Sequence, residues 1–237
     1  MSELLQNSAA WGVLLTMAAF ALGTVINRRT GKAIFNPLLL AAVFVVVFLS
    51  VLGIPYAAYK ASAAPVSYLL LPATVSLAVP LYEKWELLCR NWAAILAGIL
   101  AGVAASLGSV LVLALLLRLD HAQYVTLLPK SVTTAISMDI AAELGGMAAL
   151  TGALVILTGI VGALLAEGVF RVFGITDPIA KGIGIGSAAH AVGTAKALEM
   201  GEVEGAMSGL AIAVAGILTA LLCPVVANLI CATKNPP

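Results

Sequence analysis

The sequence predicts an all-α polytopic integral membrane protein with six to eight transmembrane segments, internal repeats of inverted orientation and two interrupted or re-entrant polar segments. Three observations support this fold class. The chain is 62% hydrophobic and only 10% charged, whereas a soluble domain has roughly a quarter charged residues. Several apolar runs approach the about 20 residues that span a bilayer. Polar stretches at 128–146 and 182–205 lie between such runs.

The apolar runs follow one another through a single membrane domain that we expect to fill residues 1–237. In chain order they are Trp11–Ile26, Pro37–Ile54, Val66–Leu81, Trp92–Leu117, Met147–Glu167 and Ala206–Ile230. Arg28 and Arg29 follow the first run, so the positive-inside rule predicts a cytoplasmic loop there and an N-terminus outside. The first residues lack a basic region, so we expect no cleaved signal peptide. The Tyr82–Arg90 stretch is predicted to be cytoplasmic and amphipathic.

The first polar stretch carries ionisable and hydroxyl groups where a spanning helix would be apolar. Its polar residues are Lys130, Ser131, Thr133, Thr134, Ser137, Asp139 and Glu143. Such groups inside a membrane are costly unless paired or hydrated, and therefore indicate function. Pro129 is placed to start a half-helix, whose free N–H groups and positive dipole end would attract an anion.

The second polar stretch has a similar composition and supplies the other half of a predicted carboxylate-binding site. Its candidate residues are His190, Gly193, Thr194, Lys196 and Glu199. Ammonium, hydroxyl and backbone N–H groups together can bind a small carboxylate. For each lysine the alternative is snorkelling to the interface, and for His190 it is a hydrogen bond to a backbone carbonyl. Asp139, Glu143 and Glu199 are candidates for proton coupling; the alternative is a solvated charge.

The two stretches also match each other in sequence. A displacement of 60 residues brings Val132, Thr134 and Gly145 onto Val192, Thr194 and Gly205, and a displacement of 57 relates the stretch at 71–87 to that at 128–144. These matches predict repeat units at about 66–117, 124–170 and 182–230. Paired interrupted segments are typical of secondary transporters. Re-entrant segments would make Arg171 and Lys181 cytoplasmic, whereas fully crossing ones would place that loop outside; the charge rule favours the first alternative.

Other functional classes find no support in the sequence. A net charge of +1 argues against nucleic-acid binding. The three cysteines have no metal-ligand spacing, and no hydrolase, kinase or dinucleotide-binding motif occurs in a suitable context. We therefore expect no enzyme, no metal and no cofactor.

Three segments carry a resemblance to a known family. LLLPATVSLAVPLY (Leu69–Tyr82), LLPKSVTTAIS (Leu127–Ser137) and GSAAHAVGTAKALEMGEVEGAMSGLA (Gly186–Ala211) resemble the hallmark segments of the LrgB/CidB family. The family includes bacterial partners of small holin-like membrane proteins, and a plastid glycolate/glycerate transporter is similar. The resemblance implies a multi-pass protein of the bacterial cytoplasmic membrane, with a small LrgA/CidA-type partner and possible homo-oligomers.

Two functions are compatible with this resemblance. The first is secondary transport of small organic acids such as pyruvate, glycolate or glycerate. The alternative is an antiholin-like or holin-like component that modulates murein hydrolase activity and cell lysis through partner proteins. Matched polar interruptions favour transport, because a component without a substrate site does not need them.

Overall fold

The computed structural model describes residues 9–30, 35, 37–69, 72, 75–76 and 78–234, and every regular element in this part of the chain is a helix. The helices are α1 (Ala9–Thr30), α2 (Pro37–Leu52), α3 (Tyr56–Ser62), α4 (Ala64–Tyr68), α5 (Ala78–Glu83), α6 (Trp85–Leu116), α7 (His121–Leu127), α8 (Thr134–Glu143), α9 (Ala148–Val172), α10 (Pro178–Met200) and α11 (Glu202–Lys234). The all-α prediction is confirmed for these residues.

Four described helices are long and apolar enough to cross a membrane: Ala10–Thr30, Trp85–Leu116, Ala148–Val172 and Glu202–Asn228. Leu39–Leu52 is apolar but shorter. Large apolar side chains on these helices are exposed, as is typical of helices that face lipid tails. The chain is thus a multi-pass membrane protein, while the predicted number of six to eight spans is not confirmed.

The chain divides into two compact units, residues 1–76 and 77–237. In unit 1, α1 packs against α2 around a small buried cluster that includes Trp11, Val45 and Leu49. The hydroxyls of Thr16 and Tyr59 are hydrogen-bonded at 2.8 Å. This polar contact attaches the short helix α3 to α1.

Unit 2 is framed by the long helices α6, α9 and α11. The Lys84 ammonium, just before α6, pairs with the Glu202 carboxylate at 3.0 Å at the start of α11. At the other end, the Tyr124 hydroxyl donates to the Val226 carbonyl at 3.0 Å. Helices α6 and α11 therefore run parallel, and their buried apolar faces form the main core of the unit.

Residues 121–143, here called hairpin 1, fold back on themselves through the turn at 128–133. The Ser137 hydroxyl donates to the Pro129 carbonyl at 2.6 Å and so fastens α8 to the turn. Where α9 begins, the Thr126 hydroxyl oxygen accepts from the Met147 N–H at 2.8 Å, and the Thr151 hydroxyl donates to the Thr126 carbonyl at 2.9 Å. These bonds satisfy backbone groups that a buried irregular segment would otherwise leave unpaired.

Residues 178–200, here called hairpin 2, also fold back, because α10 consists of two half-helices that meet at a kink. His190 has φ 41° and ψ −135°, which breaks the helix into two halves. A Cβ built on Gly193 would lie 2.6 Å from Cγ2 of Ile185, eight residues earlier. In a straight helix that separation is about 12 Å along the axis, so the halves lie side by side and need glycine at their contact.

The two hairpins open toward opposite ends of unit 2. Gly182 and Leu198, at the two ends of hairpin 2, lie against Glu204 and Gly205 at the start of α11. Hairpin 1 instead lies at the end where α6 stops and α9 begins. Helix α9 runs from the open end of hairpin 1 to that of hairpin 2, and is therefore antiparallel to α11.

The order of these elements resembles that of the predicted repeats, but it does not test the residues at which each repeat begins and ends. Hairpin 1 with α9 and hairpin 2 with α11 are successive pairs of a folded-back segment and a span, and the two spans run in opposite directions. Part of the third predicted copy, including Leu71 and Ala73, lies outside the described residues. The single-domain and repeat assignments stay predictions.

Candidate functional site

A cavity of about 720 Å³ lies in unit 2 between α6 and α9. The turn of hairpin 1 and the first half of hairpin 2 complete its lining. Most lining residues are glycine, alanine, leucine or valine; the polar ones are Ser106, Ser109, Lys130, Ser131, Thr158 and Ser187.

Glycines on α6 bring hairpin 2 close to one wall of this cavity. A Cβ on Gly98 would lie 3.3 Å from Cγ2 of Ile183, and one on Gly102 would lie 2.8 Å from Oγ of Ser187. The sequence spacing of four residues places both glycines on one helical face. Ser106, one turn further along, lies on the same face and meets hairpin 1 instead.

Lys130 is the single charged residue among those that line the cavity. Its ammonium donates to the Ser131 hydroxyl oxygen at 3.1 Å, and the Ser106 hydroxyl donates to the same oxygen at 2.8 Å. No carboxylate pairs with Lys130 within the described part of the chain. An unpaired ammonium beside ordered hydroxyls can bind a carboxylate.

The other predicted residues of hairpin 1 support its turn rather than line the cavity. The half-helix begins at Thr134 and not at the predicted Pro129, and Thr133, which precedes it, makes no side-chain cap. The Thr134 side chain lies near Gly152 of α9. Ser137 is fully buried in its bond to the turn.

The predicted residues at the reversal of hairpin 2 are buried and bonded to their surroundings. Nε2 of His190 lies 2.9 Å from the Val155 carbonyl of α9. The Thr194 hydroxyl bonds to the Ser208 hydroxyl of α11 at 2.7 Å. Together with the close contact at Gly193, these bonds fix hairpin 2 between α9 and α11.

The ionisable candidates divide between ion pairs and the surface. Lys196 pairs with Glu167 of α9 at 2.7 Å and with Glu199 at 3.4 Å, and it does not line the cavity. Asp139 and Glu143 are exposed on α8. The structure therefore brings together Lys130 and Ser131, but not Lys130 and Lys196.

The sequence itself shows the family to which this site belongs. The sequence profile of the LrgB-like family matches residues 16–229, which is most of the chain. The protein belongs to the LrgB-like family. No solved structure matches it. The family assignment made from the three sequence segments is confirmed.

In this LrgB-like protein the sequence counterpart of Lys130 is His190 and not Lys196. The displacement of 60 residues that relates Thr134 to Thr194 also brings Lys130 onto His190. Both residues lie where their hairpins reverse direction. Lys196 is thus the counterpart of Ile136 rather than of Lys130.

Sequence reasoning also missed three cavity hydroxyls, those of Ser106, Ser109 and Thr158. Single serines and threonines are common in transmembrane helices because their hydroxyls can bond to the preceding turn, as Ser187 does to Ile183. The available signal was the position of two of them beside glycines, as Gly108 precedes Ser109 and Gly159 follows Thr158. That signal alone does not indicate which face of a spanning helix lines a cavity and which face contacts lipid.

Proposed function

We propose that this LrgB-like protein is a secondary transporter of small organic acids, of the pyruvate, glycolate and glycerate class, and not an enzyme. The observation that carries the proposal is the ammonium of Lys130, which has no carboxylate partner among the described residues and lies in an open cavity between the membrane-spanning helices α6 and α9. Such a charge is costly in a membrane unless a ligand, a counter-charge or water compensates it. A monocarboxylate would compensate it fully.

The lining supports a ligand of this kind. Lys130 and Ser131 supply directional donors for a carboxylate, while the apolar remainder suits a short carbon chain. The volume of about 720 Å³ lies within the range of roughly 300–1,000 Å³ that is typical of small-molecule sites. A three-carbon acid would leave room for water, so we propose that hairpin movement reduces the cavity during transport.

The two hairpins suit alternating access. We propose that they are re-entrant, that hairpin 1 with α9 and hairpin 2 with α11 are inverted repeats, and that each hairpin gates one end. Lys84, Arg171 and Lys181 all lie at the end where hairpin 2 opens, so the charge rule would make that end cytoplasmic. Labelling of cysteines placed at 171 and 181 from the outside of intact bacteria would contradict this orientation.

The alternative, an antiholin-like component that regulates murein hydrolase release with an LrgA/CidA-type partner, draws on family membership alone. It does not account for the polar cavity around Lys130. Coupling through Asp139, Glu143 or Glu199 and a location in the bacterial cytoplasmic membrane remain part of the transport proposal.

The proposal is tested by uptake into liposomes that contain the purified protein. We expect radiolabelled glycolate, pyruvate or glycerate to accumulate in response to a pH or sodium gradient, and unlabelled acid to compete. Empty liposomes and liposomes with heat-inactivated protein are the controls. Absence of uptake of all three acids under both gradients would contradict the proposal.

A further inference from the structure

The hydroxyls of the cavity differ in the hydrogen that they can still offer to a ligand. The Ser187 hydroxyl donates to the Ile183 carbonyl at 2.7 Å, so toward the cavity its oxygen can only accept. Ser131 is the opposite case. It accepts from Ser106 at 2.8 Å and from Lys130 at 3.1 Å, which leaves its own hydrogen to donate.

Helix α6 sets the distance between these donor and acceptor positions. Gly102 lies against Oγ of Ser187, to which a Cβ would come within 2.8 Å, and Ser106 is hydrogen-bonded to Ser131. Residues four apart on a helix are about 5–6 Å apart at Cβ. The donor pair Lys130 and Ser131 and the acceptor Ser187 are therefore about one helical turn apart along the same cavity.

We propose that Ser187 is a specificity-determining residue that favours α-hydroxy acids over α-keto acids of the same length; this rests on the proposed transport function. An α-hydroxy acid carries a carboxylate for Lys130 and Ser131 and, on the adjacent carbon, an O–H group that can donate to Ser187. An α-keto acid has only acceptors, so its keto oxygen faces the Ser187 lone pair without a hydrogen between them.

Burial makes Ser187 the discriminating acceptor. Ser187 is only 6% exposed, so once hairpin movement has reduced the cavity around the ligand, water cannot readily replace a missing ligand hydrogen there. Ser109 also lines the cavity and also commits its hydrogen to its own helix, at 2.8 Å from the Ser106 carbonyl. Because Ser109 is exposed, it provides a matched control for the same deletion.

The test compares lactate with pyruvate, which have the same carbon skeleton, as inhibitors of radiolabelled glycolate uptake into liposomes. In the wild type we expect the inhibition constant of lactate to be at least about fivefold lower than that of pyruvate, as the loss of one buried hydrogen bond implies. Ser187→Ala should bring the two constants to within about twofold, mainly by weakening lactate. Ser109→Ala should keep the wild-type ratio of the pyruvate inhibition constant to the lactate inhibition constant.

Each result has a defined meaning. A wild-type ratio near one, or an unchanged ratio in Ser187→Ala, overturns the role of Ser187 while glycolate uptake still supports transport. No uptake and no competition by either acid would overturn the transport proposal itself, and this inference with it. Should Ser187→Ala not fold, Gly102→Ala places a methyl group beside the Ser187 oxygen and must lower the ratio; an unchanged ratio there also overturns the assignment.

Discussion

Replacement of Lys130 by methionine should remove most of the affinity for small carboxylates. Methionine keeps an unbranched side chain of similar length but removes the charge and the donor to Ser131. A hydrogen bond to a charged group contributes about 1.5–3 kcal/mol. The Coulomb attraction of two unit charges about 4 Å apart is about 4 kcal/mol at an effective dielectric constant of 20, before desolvation is subtracted.

These values indicate a net loss of about 2–4 kcal/mol in the binding free energy of glycolate, which is a roughly 30- to 1,000-fold increase in its dissociation constant. Binding of radiolabelled glycolate to protein in lipid nanodiscs, measured by scintillation proximity, would give this constant directly. An elution volume in size-exclusion chromatography equal to that of the wild type would show that the variant is folded. Affinity within about threefold of the wild type in folded Lys130→Met protein would refute the assignment of Lys130.

Lys196→Met is the matched control, since it removes the same charge from the other polar stretch. Lys196 pairs with Glu167, and the two side chains are 30% and 55% exposed. Such partly exposed ion pairs contribute about 0–1 kcal/mol to stability. We expect glycolate affinity within about twofold of the wild type, and a loss comparable to that of Lys130→Met would place Lys196 in the binding site after all.

Two further predictions concern how hairpin 2 is held. Gly159→Ala should lower the free energy of unfolding by about 1–3 kcal/mol, because its Cβ would lie 2.7 Å from Cε1 of His190. Gly168→Ala is the control and should not destabilise the protein, because nothing lies within 4 Å of its Cβ. Equal thermal midpoints for the two variants would contradict the packing of His190 against Gly159. Thr194→Val should cost about 1–3 kcal/mol by leaving the buried Ser208 hydroxyl without its 2.7 Å partner. Thr194→Val combined with Ser208→Ala should cost less than the two single changes added together, and strict additivity of the thermal midpoints would argue against the bond.

Composition and polar interruptions were sufficient to predict a membrane protein with all-helical elements and two irregular polar segments. Long apolar runs and costly intramembrane charges depend on local sequence alone, so a single sequence reveals them. The reversal at His190 was not predictable in detail. It depends on contacts such as that between Gly193 and Ile185, which join residues of two half-helices and appear only when both are placed.

The candidate site was predictable in part for a similar reason. Lys130 and Ser131 were found because an ammonium in such a segment is rare. The pairing of Lys130 with Lys196 rested on residue type, whereas the structure distinguishes the lysines by their neighbours: Ser131 and Ser106 for one, Glu167 for the other. Tertiary packing decides which of two equally polar positions faces a cavity.

Counterflow is the measurement that tests the transport proposal most directly. Liposomes containing the protein are loaded with unlabelled glycolate and diluted into a trace of radiolabelled glycolate, without any ion gradient. A carrier exchanges bound substrate across the membrane, so we predict a transient internal accumulation of label above the external concentration, which Lys130→Met abolishes. A monotonic approach to equal concentrations, as a leak or pore would give, or no entry of label at all, would contradict the proposal that this LrgB-like protein is a transporter.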